Sequence, residues 1–501
     1  MQKASSMAIR VAFILLLCAL AVSALPHQVA PKDLVALFLD ALNSKDEAKI
    51  RDFLEKHASG AVPIDQRISR LKGLADMGAP IKMLQPAVEK EGTVRTLMED
   101  KNGERLGLIL ELSRDPEPKI AAVRLGPPEM LDAPAPKDYT GWQDLDSLGA
   151  GIRIDTVSPA IGIALLRQGK LQQTVSGLRE VNGKDPVVAD DPWSLGSIGK
   201  PICSTILGRL IETGKLRWDL TLAEAFPDLP MKPGYKNVTI EQIMHHRGGI
   251  PQDMDFRRDR VVAIVAGATD PMKMRENYAR DILGRDPIAS PGERFAYSNA
   301  GYALLGIIAE RALKKPYESL VHEIVFEPLG LKHSYTGADK LPDRRPSGHV
   351  QGPQGLQRQN MSGPLEILVA PAGGGLFTSV ADLARFGAAH LKGLRGQDGL
   401  LKAATVQRLH QGVPEERGGL RLYACGWGIE DFPGIETMHT HNGSNGTFRS
   451  QLSIFPKADL VVAAFVSRGG ETDPSPPLQA VLAIAKRYAS KAAGPGAALR
   501  K

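Results

Sequence analysis

Between Gly126 and Pro136 the chain reads Gly-Pro-Pro-Glu-Met-Leu-Asp-Ala-Pro-Ala-Pro, and this stretch constrains the fold more than any other. Proline fixes its own φ and carries no N–H, so such a segment suits neither a helix interior nor a sheet. It divides the 501 residues into a small unit over 30–125, a proline-rich linker over 126–137 and a large unit over 138–490. Two domains are what this length allows. The last stretch, 491–501, is small and polar, the composition of a disordered tail.

The first residues read as a leader. Lys3 and Arg10 precede an apolar run over 11–22, and Val22-Ser23-Ala24 offers small residues for cleavage. This is the layout of a secretory signal over 1–24, short for a membrane span, the alternative reading being an uncleaved membrane anchor. It predicts a secreted or periplasmic protein with no stable membrane insertion once the signal is removed. Cys18 follows Leu17 inside the apolar run, where a lipid-anchor site wants a small residue, so no lipoprotein is expected. The net charge of +6 comes from interspersed charges, without a Lys/Arg block or basic stretches interleaved with aromatics. Nucleic acid is therefore not an expected partner. Beyond the leader only Cys203 and Cys425 remain, too few for a disulfide framework, and Cys203 falls in an apolar helical run. No Cys/His cluster has zinc-ligand spacing and no glycine-rich phosphate loop occurs, so neither a metal nor a cofactor is expected.

The small unit reads as α+β. Helical periodicity covers 34–42, 50–57 and 64–77, and strand-like runs over 93–98 and 105–112 flank Asn102-Gly103, a hairpin signal. Helices followed by an antiparallel sheet resemble a cystatin- or NTF2-like domain. In the large unit, runs over 160–166 and 171–177 flank Gln168-Gly169, and runs over 448–455 and 460–466 flank a turn at 456–459. A helical run over 478–489 closes the unit. Hairpins at both ends with helical patterns between them, over about 195–391, predict one antiparallel sheet assembled from both ends of the unit.

Within that helical middle, Ser197-Ile198-Gly199-Lys200 places a hydroxyl and an amine about one helical turn apart. There the lysine can take the serine proton, or place a base that does, and so activate the serine as a nucleophile. Ile202, Cys203, Ile206, Leu207, Leu210 and Ile211 recur at helical spacing, so the helix is expected to be buried and to end at Gly214. Pro201 deprives the Ser197 carbonyl of its usual helical donor, which predicts an irregular first turn. Tyr297-Ser298-Asn299, after the turn at Pro291-Gly292, sits where a loop meets a helix; a phenol and an amide there serve proton transfer and positioning. His441-Asn442-Gly443-Ser444 precedes a strand, and its glycine permits close approach to the backbone. The Ser197 and Ser444 N–H groups are the candidate oxyanion hole. Each pattern has a second copy. Ser69-Arg70-Leu71-Lys72 reads as a solvated helix face, Tyr235-Lys236-Asn237 as a surface tyrosine, and His410-Gln411-Gly412 as a helix end.

Taken in order, Ser197-x-x-Lys200, Tyr297-x-Asn299 and His441-x-Gly443 resemble the three motifs of the serine β-lactamase and penicillin-binding-protein superfamily. The class C-like branch is most similar: class C β-lactamases, D-alanyl-D-alanine carboxypeptidases, D-aminopeptidases and family VIII esterases. The segments 239–251, with His246, 374–386 and 423–428 also resemble family segments. The resemblance implies a β-lactamase/transpeptidase-like α/β (α+β) fold, a five-stranded antiparallel sheet flanked by helices plus a helical subdomain. It implies Ser197 as acyl-enzyme nucleophile, Lys200 with Tyr297 for proton transfer, and Asn299, His441 and Gly443 as substrate-positioning residues. The substrate it implies is a small ester, amide or short D-peptide. β-Lactamases usually carry Lys-Thr/Ser-Gly as third motif, and His441-Asn442 departs from it. Esterase or D-peptidase activity is thereby favoured over β-lactam hydrolysis, the alternatives being a non-catalytic cell-wall-peptide or penicillin binder and a true β-lactamase. Arg449 is a candidate substitute for the missing cation, with no direction readable in sequence.

Overall fold

The structure is a computed structural model that describes residues 29–490 except 59–63, 65–67, 69–70, 73–74, 76–77, 91, 114–116, 127, 129–130, 132–136, 138, 253–257, 338–340, 353–354, 360–363, 416–421, 433 and 471–473. The leader-like first residues, most of the proline-rich stretch 126–137, Ser69 and Arg70, and residues 491–501 lie outside the described residues. The chain divides into two compact units between Ala135 and Pro136.

The small unit opens with helices Asp33–Ser44 and Glu47–His57. Asp46 starts the second one, its carboxylate accepting from the N–H groups of Ala48 and Lys49, donors that a helix start leaves unpaired. The sheet is antiparallel, with strands Lys82–Met83, Val88–Lys90, Thr93–Glu99, Arg105–Leu112 and Ile120–Gly126. The hairpin turns where Asn102-Gly103 predicts it: Glu99 pairs with Arg105, and Gly103 takes φ +80°. Phe38, Leu42, Phe53, Val94, Leu108 and Leu110 form the core between helices and sheet. Much of the third predicted helix, 64–77, lies outside the described residues. Lys72, of the second Ser-x-x-Lys copy, is half exposed and 3.0 Å from Glu47.

The large unit is built on an eight-stranded antiparallel sheet. Its order is Val413–Pro414, Leu422–Tyr423, Gly428–Glu430, Met438–Ser444, Arg449–Phe455, Leu460–Val466, Ala160–Arg167, Lys170–Gly177. Five strands have seven or eight residues, matching the expected five. The three additional edge strands correct that number; at two or three residues each they are too short to show a period. Both ends of the unit meet at the centre, where Leu460–Val466 pairs with Ala160–Arg167. The Gln168-Gly169 turn has both residues at positive φ (51° and 75°), the geometry that fits a two-residue hairpin.

Both faces of this sheet are covered, which is why Leu460–Val466 is apolar and buried at every position. On one face Ile161, Ile163, Val462 and Ala464 pack with helices Leu145–Asp155 and Pro476–Tyr488. On the other, Leu452, Ile454, Val461 and Phe465 join the larger core of helices Gly199–Glu212, Asn299–Leu313 and Val380–Leu394. Among the described residues no helix is long and apolar enough to cross a membrane. Cys203 and Cys425 are buried free thiols.

Candidate active site

The Ser197 segment bends before it coils. Gly196–Ile198 forms a 3-10 turn leading into the α-helix Gly199–Glu212, and the N–H of Gly199 turns back to the carbonyls of Gly196 and Ser197. This is the irregular first turn that Pro201 predicts. Gly214 follows the helix at φ +71°. Eleven of the helix's fourteen residues are buried, so it is enclosed nearly all round rather than on one face. Between Asp191 and Lys200 every residue is buried except Ser197, whose hydroxyl is thereby left at an opening.

Two glycines bring the sheet against this turn. Gly196 takes φ +53°, and a Cβ there would collide with the backbone of Ser444. A Cβ at Gly443 would strike the Leu195 carbonyl and Ser450 Oγ, which itself donates to that carbonyl at 2.7 Å. Backbone therefore packs on backbone, and the Ser197 turn lies alongside the strand end that carries Gly443 and Ser444.

Lys200 is completely buried. Its Nζ lies 3.0 Å from Ser197 Oγ, 2.7 Å from Asn299 Oδ1 and 3.3 Å from the Ala372 carbonyl. Burial pulls the amine down to about 7, the Cys203 thiol one turn along opposing this more weakly. The hydrogen-bond inventory then has a simple solution. Two of the three partners can only accept, and a neutral amine has two hydrogens and one lone pair. The hydrogens go to Asn299 and Ala372, and the lone pair faces the Ser197 hydroxyl.

Tyr297 and Asn299 arrive together because Ser298 caps helix Asn299–Leu313, its hydroxyl accepting from the Gly301 N–H at 2.9 Å. Lys200 Nζ sits over the Tyr297 ring, 4.6 Å from its centroid. Ser197, Tyr297 and Asn299 are each half-buried, and all three lie against the buried Lys200 amine.

His441 lies on strand Met438–Ser444 opposite Leu452, hence on the face that holds helix Gly199–Glu212. Its Nε2 is 3.0 Å from Tyr423 Oη and its Nδ1 is 2.6 Å from the Asn442 carbonyl. Tyr423 Oη in turn lies 3.2 Å from Nε2 of His246, whose Nδ1 accepts from the Ser298 N–H at 3.1 Å. Arg449 pairs with Ser444, three residues along the strand from His441, and so shares the opposite face of the sheet with Phe455. It does not stand in for the missing cation of the third motif.

Residues 145–486 match the family described as Beta-lactamase. The chain belongs to that family. Membership makes it a β-lactamase-family serine hydrolase. Penicillin-binding protein 4 of Amycolatopsis lactamdurans is 27% identical over 347 residues, covering 67% of this chain and 86% of the relative. The D-amino acid amidase from Ochrobactrum anthropi SV3, solved with L-phenylalanine amide, superposes with a TM-score of 0.56 at 21% identity, covering 68% of this chain and 99% of that one. EstCE1, described as a hydrolase with promiscuous acyltransferase activity, gives 0.57 at 19% identity, covering 67% and 97%. At those identities the two solved structures carry the fold alone, a β-lactamase/transpeptidase-like arrangement of antiparallel sheet and helices. They are covered almost whole by two thirds of this chain, so the β-lactamase-family fold accounts for the large unit and the small unit is additional.

The structure brings together Ser197, Lys200, Tyr297 and Asn299, with Gly443 and Ser444 alongside and His441 linked through Tyr423. The decoys lie elsewhere. Tyr235 is not the surface tyrosine that its Pro-Gly context predicts: it is fully buried in the main core, because the turn at Pro233–Tyr235 folds its ring inward. His410 does end a helix, Ala403–Leu409. Sequence reasoning passed over Tyr423 as a working residue; its only signal was its place in the Tyr-Ala-Cys-Gly-Trp-Gly segment.

Proposed function

We propose that this chain is an exported hydrolase that cleaves a small ester, a D-amino-acid amide or a short D-peptide through an acyl-enzyme on Ser197. The observation that carries the reading is the Lys200 amine, buried, held near 7 and aimed at the Ser197 hydroxyl at 3.0 Å. Ser197 Oγ attacks the substrate carbonyl while its proton passes to Lys200. The oxyanion of the tetrahedral intermediate is held by the N–H groups of Ser197 and Ser444. The intermediate collapses, and the leaving alcohol or amine takes its proton from the Lys200–Tyr297 pair. Water, deprotonated by the same pair, then hydrolyses the ester and returns Ser197. Asn299 fixes Lys200, and Gly443 with His441 forms the wall along which the acyl chain lies. Secretion to the periplasm or outside is supported by the leader-like first residues, and a cystatin- or NTF2-like assignment of the small unit by its helices-then-sheet order.

Substrates without a carboxylate facing the third wall are supported by its residues. His441 with Asn442 supplies no fixed cation for a substrate carboxylate, which weighs against efficient β-lactam hydrolysis. The test is turnover of p-nitrophenyl acetate and of matched D- and L-amino-acid p-nitroanilides by the wild type and Ser197→Ala. Turnover that vanishes in the variant, with selectivity for D- over L-anilides if anilides are cut, is the expected result. Equal turnover by both proteins sinks the reading.

A further inference from the structure

The obligate donor at Ser298 and the obligate acceptor at Asn442 constrain the proton positions between them. The Ser298 backbone N–H can only donate, so Nδ1 of His246 carries a lone pair and its hydrogen sits on Nε2. That hydrogen points to Tyr423 Oη. At the far end the Asn442 carbonyl can only accept, so His441 carries its hydrogen on Nδ1. The arrangement in which each hydrogen has one acceptor has the Tyr423 hydroxyl donating to Nε2 of His441. Both imidazoles are then neutral.

The backbone is shaped to hold this chain. His246 sits at φ +57°, a left-handed position that a histidine rarely adopts, and is 2% exposed. Its ring packs against Tyr297, Tyr302, Phe295 and Tyr423, with centroids 4.4 to 5.6 Å away. Burial and the nearby Lys200 and His441 hold it well below the ordinary histidine range. The titratable groups along the His441–Tyr423–His246 chain come from five stretches. They are Lys200 on helix Gly199–Glu212 and His245 after Ile240–Met244, both acting on His246, Tyr297 ahead of helix Asn299–Leu313 with its ring at the edge of Tyr423, Tyr423 on its short strand, and His439 on the same face of His441's own strand.

We infer that Tyr423 is a specificity-determining positioning residue: held by His246, its hydroxyl keeps His441 in the neutral Nδ1–H form, so the third wall presents no positive charge and the site prefers uncharged acyl groups to carboxylate-bearing ones. The inference rests on the acyl-enzyme reading for its consequence in catalysis, but not for its structural content.

Two measurements test it. In the first, the wild-type chain labelled with ¹⁵N-histidine is titrated by long-range ¹H–¹⁵N NMR, His441 being assigned from the His441→Asn spectrum. His441 is expected to stay neutral with its proton on Nδ1 from about pH 8 to about pH 5.5, below the ordinary histidine value. A proton on Nε2 instead, or a cation at neutral pH, overturns the inference. In the second, Tyr423→Phe removes only the hydroxyl. Its His441 is expected to titrate within that window. The ratio of kcat/KM for mono-p-nitrophenyl adipate to that for p-nitrophenyl hexanoate is expected to rise about tenfold on acidification, while the wild-type ratio stays flat. A folded Tyr423→Phe chain in which neither the titration nor the ratio moves overturns it. If that variant does not fold, the wild-type spectrum decides. Failure of the wild type to cleave either ester contradicts the hydrolase reading instead, and the tautomer spectrum still decides this one.

Discussion

Nζ of Lys200 stands 3.0 Å from Oγ of Ser197 while its two remaining partners, Asn299 Oδ1 and the Ala372 carbonyl, can only accept. An amine so placed works only when deprotonated. kcat/KM for a neutral ester should therefore rise with pH through a one-proton limb near 7, the value to which burial brings Lys200. Lys200→Arg, charged at every accessible pH, should lower kcat/KM by about 10²–10⁴ without restoring a limb. A flat profile between pH 5.5 and pH 8.5 contradicts the assignment.

The same amine costs stability. Its folded value near 7 lies below its unfolded value of about 10.4, so the unfolded state binds the extra proton. The penalty is absent above about pH 10.4, grows as pH falls and is complete below about 7. Lys200→Met, inactive, should gain on the wild type by about 2–3 kcal/mol more at pH 6 than at pH 9 in paired urea melts. A difference independent of pH would show that Lys200 is not buried as a base.

Gly443 is the point where strand and nucleophile turn meet. Gly443→Ala must displace the Leu195 carbonyl or the Ser450 hydroxyl. We expect a loss of about 2–3 kcal/mol in stability and of at least about a hundredfold in kcat/KM. Retention of both would mean that the strand end is not packed on the turn. By contrast Gly434→Ala, at a loop glycine with nothing near its missing Cβ, should not reach the site.

The parts legible in sequence are those whose cause is local. Gln168-Gly169 announces its hairpin because a two-residue turn demands positive φ at both positions, and Asn102-Gly103 because the five-residue connection between Glu99 and Arg105 needs it at Gly103. Ser197 and Lys200 are readable because one helical turn alone juxtaposes them, and Tyr297 and Asn299 because Ser298 starts the next helix. What stayed hidden depends on partners far apart in the chain. Tyr423 meets His246 across 177 residues, and nothing near either residue states the contact. Arg449 was undecided until the pairing of Ser444 with Arg449 fixed its face. Tyr235 was misread because a Pro-Gly turn marks a change of direction, not the side to which the following ring points.

A second buried polar chain sets the acid limit. Thr205 donates to the Pro201 carbonyl and meets His390 Nε2 at 2.9 Å; His390 Nδ1 meets His410 Nε2 at 3.0 Å, and His410 Nδ1 meets His439 Nδ1 at 3.1 Å. Burial brings His390 to about 3 and His439 to about 4. Both lie below the unfolded value of about 6.5, so their contribution is intact above that pH and lost as pH falls towards 4 and 3. Stability should decline by about 2 kcal/mol per histidine between pH 7 and pH 5, and His390→Gln should flatten the slope. An unchanged slope in that variant places the acid sensitivity elsewhere.

The central claim is that Ser197 carries the acyl group, and acid-quenched mass spectrometry tests it most directly. The wild-type chain is mixed with p-nitrophenyl acetate at pH 7.5, quenched within the first turnovers and digested. The account expects one acetyl group on the peptide containing Ser197, absent from Ser197→Ala treated alongside. An acetyl group distributed over surface lysines in both proteins, with Ser197 unmodified while p-nitrophenol is released, would contradict it.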